Sequence, residues 1–154
     1  MKIIGKKSLS TLVKYLLDMI FIGGIGIFLS LPISLKWYLL ATYGVTSSIS
    51  YYFLLCLLYV TGLFALLIVN EIRKIFKTLH KNTPFILENV KSLSNMGIYA
   101  FIISFCYVFK IFFFNSIATI IIIMTFVIAG FFSIILSEVF NQAVEAKQEN
   151  DYTI

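Results

Sequence analysis

The sequence predicts an all-α integral membrane protein: a four-helix bundle with both termini cytoplasmic and a helical cytoplasmic loop between spans two and three. Three observations carry that expectation. Of the 154 residues, 60% are hydrophobic and 12% charged, about half the charged share that keeps a soluble domain wetted. The apolar residues come in runs of the length a helix needs to cross about 30 Å of hydrocarbon. The lysines and the single arginine gather where those runs stop. A net charge of +5 without an interleaved basic and aromatic face speaks for topology signals, so no direct nucleic-acid contact is expected. The natural solvent of most of this surface is the lipid bilayer.

The first span, YLLDMIFIGGIGIFLSLPISL, covers residues 15–35. No small-residue cleavage site follows it, since the run leaves through Pro32 and Lys36, so it is expected to stay as a span. The second, YYFLLCLLYVTGLFALLIV, covers residues 51–69, and the third covers 96–114. Asn115 and Ser116 form a tight turn into the fourth, 117–139. A loop, 70–95, and a tail, 140–154, complete a single membrane domain. Lys2, Lys6, Lys7 and Lys14 precede the first span, Arg73, Lys74, Lys77, Lys81 and Lys91 fill the 70–95 loop, and Lys147 lies in the tail, which leaves only Lys36 and Lys110 for the other side. Positive charge is retained in the cytoplasm, so the termini and the long loop are placed there and the cell membrane is the expected location. Trp37, Tyr38, Tyr43, Tyr51 and Tyr52 cluster at the first outer loop, at the depth amphipathic rings prefer.

Within the loop, Ile72, Ile75, Phe76 and Leu79 keep helical spacing between basic residues, so the second helix is expected to run on past the bilayer. Thr83 and Pro84 read as N-cap and first residue of the helix that leads into span three. No breaker separates Ser137 from Lys147, which predicts that the fourth helix also projects.

Polar residues inside the spans are few. Asp18 is the acid deepest in an apolar run, a functional candidate by default. Its favoured partner is Lys14, one turn back on the same face, with Asn70 or Arg73 as alternatives from another helix. Lys110, near the outer end of span three, can extend its stem to the interface. Thr125, Ala129, Ser133 and Ser137, each four apart, form a small-residue stripe for close helix packing, within the chain or in a homo-oligomer. The GGIG at residues 23–26 sits mid-span with no Lys-Ser/Thr after it, and reads as packing rather than a phosphate loop. Cys56 and Cys106 lie in apolar runs and are read as small buried hydrophobes. One histidine, His80, and no metal-spaced or nucleophile motif argue against an enzyme, a metal site or a cofactor.

Two stretches carry a resemblance. NTPFILENVKSLSNMG, residues 82–97, and VEAKQENDYTI, residues 144–154, resemble the signature segments of the DUF2975 family of small bacterial four-span membrane proteins. The first holds the family's Pro-Phe followed by Glu-Asn and a spaced Leu, at Pro84, Phe85, Glu88 and Asn89. The second holds a lysine, then Glu-Asn-Asp before Thr and an aliphatic residue, at Lys147, Glu149, Asn150 and Asp151. The resemblance implies four spans and a role without an assigned activity. It also implies a partner, since members are often encoded beside a small helix-turn-helix regulator.

The residues supply a reason of their own for such a partner. Glu145, Glu149 and Asp151, with Gln148 and Asn150 between them, make an acidic, hydrogen-bonding tail suited to a basic DNA-binding domain. The competing use is an internal brace, in which Glu149 and Asp151 fold back on Lys77, Lys81 or Lys91. The leading expectation is a regulatory protein acting through loop and tail. An immunity protein against membrane-active peptides and a transporter or channel subunit are the alternatives.

Overall fold

A computed structural model describes residues 6–44, 48–81 and 83–153. Lys2, Asn82 and Ile154 lie outside the described residues, as do the side chains of Lys6, Lys7 and Tyr43. Four helices follow in chain order: α1 (Lys6–Tyr43), α2 (Ser48–His80), α3 (Leu87–Phe113) and α4 (Ile117–Tyr152). All four are long and apolar enough to cross a membrane. Each overruns its apolar core at the basic end of the bundle. From Lys14 to Lys36, α1 rises about 33 Å, close to the hydrocarbon thickness. The last residues of α4, from Glu138 on, carry its axis about 20 Å beyond its apolar stretch.

Helices pack in sequence order. α1 lies on α2, α2 on α3, and α3 most extensively on α4, while α1 and α4 make no close backbone approach among the described residues. The bundle is therefore open along one seam.

Glycines set the closest crossing. A Cβ on Gly97 would come within 2.6 Å of Ile134 Cγ1 and 3.0 Å of the Gly130 carbonyl oxygen. Neither α3 nor α4 can approach so closely with a larger residue there. Of the GGIG, only Gly24 meets a neighbour, at 2.8 Å from Leu66 Cδ2, while Gly23 and Gly26 face open space.

The stripe expected on α4 divides within the chain. Ser133 and Ser137 are buried against α3, but Thr125 and Ala129 are exposed. The buried face runs through Thr119, Gly130, Ser133, Ser137 and Val144. Steps of four advance a helix by about 40° beyond a full turn, so a strict four-residue stripe winds off the contact. Alternating steps of three and four stay on it.

The start of α3 also differs from expectation. Helix begins at Leu87 with Ile86 in the N-cap position and no side-chain cap, so Thr83 and Pro84 are not its cap and first residue. They belong to the turn after α2, where the Thr83 amide donates to the Thr78 carbonyl at 3.2 Å. Asn89 holds this turn from within α3, its Nδ2 donating to the Pro84 carbonyl at 2.7 Å. That bond occupies the carbonyl that an earlier helix start would have needed.

Candidate functional site

The end of α2, the start of α3 and the end of α4 converge beyond the apolar spans, and most of the singled-out residues meet there. Asn89, 1% exposed, is the centre of this polar end. Its amide also donates to Thr78 Oγ1 at 2.6 Å, and the Thr78 hydroxyl donates to the Ile75 carbonyl at 2.7 Å. One side chain thereby ties α2, the connecting turn and α3. α4 is fastened by the Ser137 hydroxyl donating to the Val90 carbonyl at 2.8 Å, by buried Val144, and by Phe85 against Phe140, ring centres 5.3 Å apart.

A buried acid joins this network without having been singled out in the sequence. Glu71 is 5% exposed; Lys74 Nζ lies 2.8 Å from its Oε1, and Ser92 and Asn95 flank it. An acid one residue beyond an apolar run, three residues before a lysine, was the signal available. With Lys77, Lys81 and Lys91 these groups line a polar hollow of about 450 Å³ between α2 and α3.

Asp18 pairs across helices. Arg73 Nη2 and Nε both lie 2.7 Å from its Oδ1, so the carboxylate meets α2 rather than the favoured Lys14. The guanidinium also lies 4.5 Å from the centre of the Phe21 ring. Both side chains keep a third of their surface exposed. This contact ties the start of α1 to the polar end; Asn70, half-buried beside it in sequence, is not part of the pair.

The two signature segments therefore divide. Pro84, Phe85 and Asn89 brace the polar end, with Glu88 exposed on the first turn of α3. Lys147, Glu149, Asn150 and Asp151 are all exposed on the last turns of α4. Among the described residues the ion pairs are Asp18–Arg73 and Glu71–Lys74, so the competing fold-back of Glu149 and Asp151 onto Lys77, Lys81 or Lys91 is not found. Glu145 accepts from Asn141 within α4, at 2.9 Å. Lys110 lies apart from all of these, where α3 turns into α4.

Four membrane-length helices joined in sequence, with a polar three-helix end, define a multi-pass helical membrane protein. The chain belongs to the DUF2975 family of proteins of unknown function, whose model matches residues 34–154. No curated protein matches the chain, and no solved structure does. The family match begins within α1, so Arg73 lies inside it and Asp18 outside.

Proposed function

We propose that the chain is a non-enzymatic regulatory protein of the bacterial cytoplasmic membrane, with both termini in the cytoplasm. Its α4 end docks a small helix-turn-helix transcription regulator. The observation that carries this reading is the contrast within the polar end: Asn89, Glu71 and Ser137 are buried and paired, whereas Glu149, Asn150 and Asp151 are held out on a braced helix with their side chains exposed. An acidic helix on a fixed base suits the basic face that a small DNA-binding domain turns to phosphate. The basic residues of the 70–95 segment and of the N-terminus support the cytoplasmic assignment. The family resemblance, with its neighbouring regulators, supports the choice of partner.

The test is recovery of bound protein from mildly solubilised membranes, followed by mass spectrometry. Full-length chain is expected to recover a helix-turn-helix protein. A Glu149→Ala, Asp151→Ala double variant is expected to bind that protein about tenfold more weakly, with a loss that narrows as salt rises. Equal binding by wild type and double variant would remove the docking role from the tail, and recovery of no such regulator by either would remove the partner.

A further inference from the structure

Between α1 and the rest of the bundle lie two adjoining open hollows, an inner and an outer chamber. The inner one, about 340 Å³, is lined by apolar groups, among them Gly24 and Phe28 of α1, Leu66 of α2, Ile103 of α3 and Phe126 of α4. The outer one, about 800 Å³, shares Leu31, Leu58 and Tyr107 with it and continues to the end where α3 turns into α4. There its lining becomes polar, with Ser34, Tyr38, Ser50, Lys110, Asn115 and Ser116. Both volumes fall in the range of about 300–1,000 Å³ that small-molecule sites occupy. α1 makes this space: it buries Leu17 near one end and Leu35 and Leu39 near the other, with nothing buried between. The seam between α1 and α4 leaves the space open sideways, toward the bilayer.

Charge at the mouth is unbalanced. Lys110 is half-buried; it donates to Thr119 Oγ1 at 3.1 Å, and its ammonium lies 5.7 Å from the centre of the Tyr107 ring, both of them neutral partners. The seven acids of the chain, Asp18, Glu71, Glu88, Glu138, Glu145, Glu149 and Asp151, all belong to the opposite end. At the edge of the hydrocarbon an ammonium turns to water, headgroups or an anion, and this chain offers it no carboxylate there.

We propose that the cavity binds one anionic phospholipid drawn from the bilayer, with its phosphate on Lys110 and an acyl chain in the apolar inner chamber. The two halves of the site ask for two properties in one molecule. A free anion would leave the inner chamber unfilled, and a zwitterionic lipid would bring a second cation to the ammonium beside its phosphate. A helix of a second copy would bring apolar surface at this depth but no carboxylate, because the acids all sit at the other end. The site stands independently of the regulatory reading, since cavity and tail lie at opposite ends of the molecule.

Native mass spectrometry of the full chain in mild detergent tests this, with phosphatidylglycerol and phosphatidylcholine of identical chains added in equal amounts. The one-lipid adduct is expected to favour phosphatidylglycerol about fivefold, the effect of one well-placed lysine. Lys110→Met should bring the two lipids to parity, Lys110→Arg should keep the preference, and Lys36→Met, which alters the other lysine at this end, should leave it intact. Ala65→Phe, a substitution in the α2 wall of the inner chamber that fills it, should reduce both adducts while keeping their ratio. Parity in the wild type, a preference that survives Lys110→Met, or unchanged adducts in Ala65→Phe would each overturn the proposal. Glycerophosphate competing as well as the lipid would reassign the site to a free anion, and a lipid-free dimer would assign the cavity to a second copy.

Discussion

The two ends of this bundle treat polar groups in opposite ways. At the basic end, Asn89, Glu71, Ser92 and Ser137 are buried, and the buried side-chain polar atoms among the described residues all have hydrogen-bond partners. α2, α3 and α4 are cross-tied there through Thr78, Pro84 and Val90. At the other end, one ammonium borders a cavity and leans on a hydroxyl and a ring. Away from water an unpaired polar group costs more than a made bond gains, so a fully satisfied network holds one arrangement firmly. A charge left with neutral neighbours does the reverse and leaves room for a ligand. The basic end is a clamp, and the other end is a receptor.

Substitutions can break or sharpen that contrast. The largest loss of stability is expected from Gly97→Val, because its Cβ meets the Gly130 carbonyl at 3.0 Å as well as Ile134. The expected cost is about 3 kcal/mol, read from the midpoint of unfolding in mixed detergent. Gly26→Val, where a Cβ meets nothing within 4 Å, is the control that should remain near wild type. Asn89→Ala should cost about 2 kcal/mol by stranding the Pro84 carbonyl and freeing the turn, with faster proteolysis after α2 as the second readout. Asp18→Asn breaks a pair that is one-third exposed on each side, so at most about 1 kcal/mol is expected, shrinking as salt is raised. Lys110→Met should leave stability within about 0.5 kcal/mol of wild type while abolishing headgroup preference. A large destabilisation by Lys110→Met would make the receptor end a second clamp.

Charge and length, read locally, account for much of this. Basic residues flanking an apolar run mark where it leaves lipid, which is how the overrun of α2 and α4 could be read from Ile72 to Leu79 and from Ser137 to Lys147. The Asn115–Ser116 turn was legible because it is the one pair of adjacent polar residues in the apolar stretch 96–136. Contacts between helices were harder. Thr125 and Ala129 were read in one stripe with Ser133 and Ser137 because spacing alone cannot say which face meets which neighbour, and Phe126 and Gly130, one residue along, are what meet the interior of the chain. Asp18 was matched first with Lys14, a neighbour on its own helix, whereas its partner lies 55 residues away.

The sequence by itself determined four membrane-length helices, their order, which ends carry charge, and the family to which the chain belongs. It could do so because hydropathy and helix length are summed along one segment and need no partner. Tertiary structure alone decided the Asp18–Arg73 pair, the knot around Asn89, the burial of Glu71 and the cavity that reaches Lys110. In a soluble helix, the apolar stripe reveals the packed face; in lipid both faces are apolar, so helix rotation is chosen by close approach at small residues and by the few polar groups that must find one another.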